Sequence, residues 1–423
     1  MSSQIIQDKH LGEQYIRVEH PSGLTMLLYP MPGFSTTYAM FSTQYGSVDT
    51  CFQAKEGGEQ IRVPEGIAHY LEHKMFESED GDAFDRYAKT GAAANAFTSF
   101  DKTCYLFTCS GKFQESLEIL LDCVTHPYFT KETVEKEQGI IGQEIRMYED
   151  DPSWRVTFNL LDSLYHNNSV KVDIAGTIES IARIDADLLY RCYNTFYNLH
   201  NMVLTIAGNF DPDEALQVAD RVLKKAPPFE AVRRPQQEPE SVVRKRVVQH
   251  LPVALPMFYI GFKSPDAGQK NNFCNVIFDE MLLDIVTGET TELYRQLYND
   301  GLINGSIYGE TMAGRDYLCS MVSGESRDPD EVYRRVCSAF EQVQQNGIDP
   351  EAFQRVKKAT YGRYLGLFSR PDSLASAMTN CHFAGISVYD LVEMVANCTR
   401  QQLEQRLRED FSTGNSCLSI VMA

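Results

Sequence analysis

His69, Glu72 and His73 fall within one helical turn of one another, provided the chain is helical there. Two neutral imidazoles are ligands for zinc, and a carboxylate beside them can take a proton. Zinc-dependent hydrolysis needs three protein ligands, an open fourth position for water, and a base for that water's proton. The run His69-Tyr70-Leu71-Glu72-His73 supplies two ligands and the base. The missing ligand is sought among the carboxylates of Thr133 to Glu144, where Glu137 and Glu144 are spaced to share one helix face two turns apart.

Two helices must position these groups. Pro64 to Phe76 reads as the first, with Pro64 suited to its first turn and Glu65 favourable near the positive end of the dipole. At 100° per residue, Ile67, Leu71 and Met75 form a core stripe, with His69, Glu72, His73 and Phe76 opposite. The second helix runs from about Thr130 to about Glu149 and is stopped by Asp150-Asp151-Pro152. On it, Glu132, Glu135 and Glu149 read as a solvated acidic face.

The H-x-x-E-H of His69 to His73, followed by Glu137 and Glu144 in E-x6-E spacing, resembles the pitrilysin-type, or inverzincin, zinc metallopeptidase family. The segment Asn95-Ala96-Phe97-Thr98 is similar to that family's Asn-Ala-x-Thr stretch, and the likeness is nearly full length. It is strongest to the short, processing-peptidase-like branch, particularly bacterial subunits of two-chain peptidases. The resemblance implies one Zn2+ per chain held by His69, His73 and Glu144, with Glu72 as the base that activates water. Glu137 is then a supporting residue that orients a ligand or tunes the site. Asn95, Ala96, Phe97 and Thr98 are expected on an exposed edge strand to which a substrate peptide adds by backbone hydrogen bonds.

Composition limits the alternatives. A chain of 423 residues suggests two domains, and 43% apolar content marks it as globular. No apolar run approaches the roughly 18 residues of a membrane-spanning helix. The start of the chain has neither the basic flank nor the apolar core of an export signal, so a cytoplasmic location is expected. The eleven cysteines lack C-x-x-C pairs and read as reduced thiols. A net charge of −19 disfavours nucleic acid and anionic membranes as partners.

The chain also repeats itself. Tyr105 to Gly111 has a counterpart in Tyr317 to Gly324, each followed by a helical stretch and then a helix start at Phe129-Thr130-Lys131-Glu132 or Ile348-Asp349-Pro350-Glu351. Phe196 to Gly208 resembles Phe411 to Met422 in the same way. The repeat points to a duplicated α+β arrangement, and the resemblance implies two homologous α/β-roll domains, each an antiparallel sheet packed with helices, in the family's half-clamshell. Residues 1-225 form the zinc-bearing domain, 226-241 a Pro-rich linker, and 242-423 a homologous non-catalytic domain. Aligned on the helix starts, Glu144 corresponds to Arg363 and Glu137 to Val356, and Asn272 to Leu293 contains no histidine. Only the first half is equipped for zinc.

One departure from the family bears on partners. Self-sufficient members carry, in the second domain, an Arg and a Tyr seven residues apart that bind substrate and stabilise the oxyanion. Leu297 and Asn304 stand at those positions here. The sequence thus reads as the zinc-bearing subunit of a metalloendopeptidase that cleaves peptides or unfolded segments in a chamber. A homologous partner would supply the Arg and Tyr. The competing readings are a non-catalytic scaffold of the same fold and a self-sufficient homodimeric peptidase.

Overall fold

Apolar runs rich in β-branched and aromatic residues build two sheets with the same wiring. The computed structural model describes residues 2–79, 81–234, 237–265, 272–305 and 307–423. They form two compact units, one from Met1–Gln143, Ile174–Arg234 and Leu365–Asp390, the other from Glu144–Asp173, Pro235–Tyr364 and Leu391–Ala423.

In the first unit, strands β1 (Ser2–Asp8), β2 (Glu13–Glu19), β3 (Thr25–Pro30), β4 (Thr37–Thr43), β5 (Ala93–Thr98), β6 (Thr103–Cys109) and β7 (Met202–Gly208) lie in the order β1-β2-β3-β7-β4-β6-β5. In the second, β8 (Arg246–His250), β9 (Met257–Lys263), β10 (Tyr308–Ala313), β11 (Leu318–Glu325) and β12 (Ser416–Met422) lie in the order β8-β12-β9-β11-β10. The sequence leads to antiparallel sheets, yet each sheet holds one parallel pair, β3 with β7 and β8 with β12. The chain reaches β7 and β12 after long helical excursions, which permit a parallel return that a tight hairpin does not. Strand for strand, β3-β7-β4-β6-β5 has the order and directions of β8-β12-β9-β11-β10. The pairs expected from the repeat, β6 with β11 and β7 with β12, occupy equivalent places.

Helices α1 (Ile67–Lys74), α2 (Ala83–Thr90), α3 (Phe113–Thr125), α4 (Lys131–Glu149) and α5 (Pro152–Leu164) come from the first half of the sequence. Helices α6 (Asn272–Thr287), α7 (Glu292–Asn299), α8 (Pro329–Asn346), α9 (Pro350–Gly366) and α10 (Pro371–Ala384) come from the second. The units trade one helix each across that division. α5 packs on β12 and β9 of the second unit, and α10 packs on β7 and β4 of the first. Covering central strands in this way accounts for their burial: every residue of β7 is buried, and in β12 all but Met422.

The linker is not a loose tether. Val232–Arg233 pairs with the short strand Cys51–Gln53, and Arg233 donates to Asp49 at 2.9 Å. Glu238 accepts the backbone N–H groups of His166, Asn167 and Asn168 and the ammonium of Lys263. Pro235 and Gln236, at the middle of the expected linker, lie outside the described residues.

Gly261 in β9 marks how closely α5 is seated, because a Cβ there would lie 2.9 Å from both Leu160 Cδ2 and Leu164 Cδ1. Gly261→Leu forces extra volume into a filled contact and should lower the unfolding free energy by about 1–3 kcal/mol. Urea unfolding of the two proteins measures the difference.

Candidate metal centre

The centre is built on α1 and α4. The first helix is shorter than its sequence suggests, spanning Ile67–Lys74 where Pro64 to Phe76 is expected. Gly66 stops it at the front, because its φ of +88° lies in the left-handed region and it approaches the Ala175 carbonyl so closely that a Cβ would collide. Pro64 and Glu65 therefore lie outside the helix, and Met75 caps its end. The expected division into a core stripe and a free histidine face also gives way. α1 is packed on most sides, so Ala68, His69, Tyr70 and Lys74 are buried along with Ile67 and Leu71. Helix α4 spans Lys131–Glu149 as the spacing predicts, with Glu132, Glu135 and Glu149 exposed and Glu137 buried.

Hydrogen bonds join the helices. The Tyr70 hydroxyl donates to the Val134 carbonyl, and His73 Nδ1 lies 2.9 Å from Glu137 Oε1. Because a carboxylate accepts, the second contact favours the imidazole proton on Nδ1 and makes Nε2 the atom suited to coordinate. His73 Nε2 approaches His69 Nε2 to 3.2 Å. The candidate donor atoms of His69, His73 and Glu144 all lie within 4.8 Å of one another, the one such group among the described residues. A tetrahedral ion with bonds of about 2.0 Å needs donors roughly 3.3 Å apart, so the two imidazoles are already at that spacing. Two histidines and one carboxylate form the donor set of a hydrolytic zinc site, and the residues fit that ion.

Glu72, half-buried, accepts a hydrogen bond from the Thr98 hydroxyl at 2.9 Å. Thr98 ends β5, which among the described residues pairs only with β6 and forms one edge of its sheet. Along β5, Asn95 and Phe97 are exposed, whereas Ala96 and Thr98 are partly covered, so the strand alternates as a sheet edge should. Thr98 thus belongs to the surroundings of Glu72 as well as to the strand.

Charge is concentrated behind the histidines. Burial disfavours the Glu137 carboxylate, but the hydrogen bond with His73 and the charges of His73, Lys74 and Lys136 outweigh it and hold the carboxyl below its ordinary range. Lys74 is completely buried, which lowers its ammonium from 10.5 to about 8, with Glu137 opposing the shift. Its ammonium donates to Glu77, and Lys136 lies 3.6 Å from the same carboxylate, tying the end of α1 to α4.

Sequence reasoning places His69, Glu72, His73, Glu137 and Glu144 on the two helices that the structure brings together. It passes over Tyr148, whose hydroxyl donates to Glu144 Oε1 at 2.7 Å, although the i, i+4 spacing on α4 is a legible signal. It also passes over Lys74 and Glu77. The expected Arg and Tyr positions are a different matter. Leu297 is buried in α7, while Asn304 is exposed. Its two neighbours on the helix, Gln296 and Tyr298, are both exposed, and neither carries a guanidinium.

Residues 62–178 match the family description "Insulinase (Peptidase family M16)", and residues 183–360 match "Peptidase M16 inactive domain". The chain is 36% identical over 414 residues to YmfH of Bacillus subtilis, described as an uncharacterized zinc protease, covering 96% of each chain. A crystal structure of a putative M16-like peptidase from Alicyclobacillus acidocaldarius matches with a TM-score of 0.93 at 35% identity, over 96% of this chain and 98% of that one. Pitrilysin has the same fold over 99% of this chain and 46% of its own, with a TM-score of 0.78 at 17% identity. No helix among the described residues is long and apolar enough to cross a membrane.

The buried ammonium has a measurable consequence. The unfolded chain binds more protons at Lys74 than the folded chain between pH 8 and 10.5, so this group adds stability as pH rises through that window. Lys74→Met abolishes the contribution. The stability of the variant relative to wild type should be greatest below about pH 8 and should shrink toward pH 10.5. Denaturant unfolding at several pH values checks this, and a pH-independent difference would contradict it.

Proposed function

The chain belongs to the M16 peptidase family, and on that premise we propose that it is the zinc-bearing subunit of a two-chain metalloendopeptidase. The observation that carries the reading is the convergence of His69, His73 and Glu144 within 4.8 Å, with Glu72 on the same helix as the two histidines. Zinc bound there, one ion per chain, supplies Lewis acidity for activating water and polarising the scissile carbonyl. Glu72 takes the proton of the attacking water and returns it to the leaving amine. Thr98 fixes one carboxylate oxygen of Glu72 during this exchange, and Glu137 keeps the His73 proton on Nδ1. Residues Asn95 to Thr98 present an open sheet edge to which an extended peptide can add as a further strand.

The division of labour follows the repeat. Residues 1-225 carry the chemistry, 226-241 connect, and 242-423 support. The oxyanion donors come from a homologous chain, a reading supported by the absence of an arginine at Leu297, at its exposed neighbour Tyr298, and at Asn304. Substrates are peptides or unfolded segments small enough to enter an enclosed space. Eleven free cysteines, most of them buried, are in keeping with a reducing, cytoplasmic setting.

Glu72→Gln tests the chemistry, since it preserves size and hydrogen bonding but removes the base. The variant should retain wild-type zinc content and lose at least about 10²-fold in peptide cleavage. The same assay, run with and without a homologous chain that carries the Arg and Tyr, tests the two-chain arrangement. Wild type alone should cleave poorly and the mixture well, by the few kcal/mol typical of an oxyanion site. Full activity of the isolated chain, unchanged by the partner, would contradict the arrangement while leaving the zinc chemistry intact.

A further inference from the structure

Glu144 stands near the end of α4, where a carboxylate on an exposed turn would ordinarily sample several rotamers. Here it does not stand alone. Tyr148, one turn onward on the same face, donates its hydroxyl to Glu144 Oε1 at 2.7 Å. The phenol ring is itself held by Trp154, the only tryptophan of the chain, which stacks on it with centroids 4.5 Å apart and planes inclined by 15°.

Trp154 is fixed in turn from three directions. Asp151 caps α5 by accepting the backbone N–H groups of Ser153 and Trp154, which turns the first coil of α5 back toward the end of α4. The indole N–H donates to Asp173 Oδ2 at 2.5 Å, and Phe158 packs against the same ring with centroids 5.2 Å apart. A solvated i, i+4 Tyr–Glu pair would be a minor surface contact. A phenol clamped beneath an anchored indole is different, because it can restrain the carboxylate without moving itself.

From this geometry we infer that Tyr148 is a positioning residue for the Glu144 ligand, and that the Trp154 indole stacked on it reports occupancy of the centre. The inference rests on the reading of Glu144 as a zinc ligand. A carboxylate already oriented gives up less side-chain freedom when it coordinates, and groups that orient a ligand typically contribute 10–100-fold in metal affinity. Ion binding at Glu144 changes the charge on the oxygen that the phenol serves, and the field across the stack changes with it. The chain has one tryptophan, so tryptophan emission, excited to the red of the tyrosine absorption, comes from that single ring.

The test is a Zn2+ titration of the full chain, stripped of metal and followed by tryptophan emission in the presence of a competing chelator. Wild-type emission should change to a plateau at one zinc per chain. Tyr148→Phe keeps the ring and the stack but removes the hydroxyl. It should bind zinc at least about tenfold more weakly, with a reduced emission change at saturation and an unchanged unfolding midpoint of the metal-free protein. Zinc affinity within twofold of wild type in Tyr148→Phe would overturn the positioning role. Wild-type emission that ignores a zinc ion independently measured as bound would overturn the reporting role. If wild type and Glu144→Ala bind zinc equally well, the assignment of the ligand itself fails, and this inference with it. Those outcomes are distinguishable in one set of titrations.

Discussion

The packing of α1 against α4 is the constraint on which the centre depends. A helix fixes the spacing of its own side chains, so His69 and His73 are brought together by one turn of α1 alone. With Glu72 proposed as the base, the third ligand must come from outside α1. That requires α4 to lie at a set height and rotation, and the Tyr70 hydroxyl on the Val134 carbonyl and the His73–Glu137 hydrogen bond define both. Seven residues beyond Glu137, two turns along the same face, Glu144 then falls within reach of both imidazoles. Glu137 acts in this account at two levels, as a packing contact between helices and as the group that settles the His73 tautomer.

The second half of the chain repeats the scaffold without the histidine pair. Glu144 and Arg363 stand equally far into their helices, from 131 to 144 and from 350 to 363. Where the first half converges two histidines on a carboxylate, the second converges two carboxylates on a guanidinium: Arg363 lies 3.0 Å from Glu280 and 3.7 Å from Asp284, which are one turn apart on α6. Burial raises both carboxyls above their ordinary range, and Arg363 opposes the shift. The repeat thus satisfies a similar pair of helices with a covalently attached cation.

Much of this was legible in the sequence because it is encoded locally. The i, i+4 histidines, the E-x6-E helix, the repeated helix starts at Lys131 and Pro350, and the equivalence of the strands before them all follow from periodicities of a few residues. What was not legible depends on distant parts of the chain. The left-handed Gly66 shortens α1 because the Ala175 segment presses on it, and burial of His69 and Lys74 comes from neighbours far away in sequence. The exchange of α5 and α10 between units leaves no trace in a local pattern, though Gly261 marks it once the structure is known. Leu297 shows the limit of motif spacing, because a shift of one residue on α7 separates a core position from an exposed one. Tyr148 was missed for a simpler reason, as tyrosine one turn from a glutamate is common on helix surfaces and acquires meaning only through Trp154.

The proposed zinc site takes two histidines from α1 and one glutamate from α4 and keeps one position open. X-ray absorption at the zinc K edge of the purified protein measures the coordination directly. The account predicts a shell of nitrogen and oxygen donors at about 2.0–2.2 Å, with the outer-shell scattering of two imidazoles and no sulfur. A shell dominated by sulfur at about 2.3 Å, or one with a single imidazole, would contradict it.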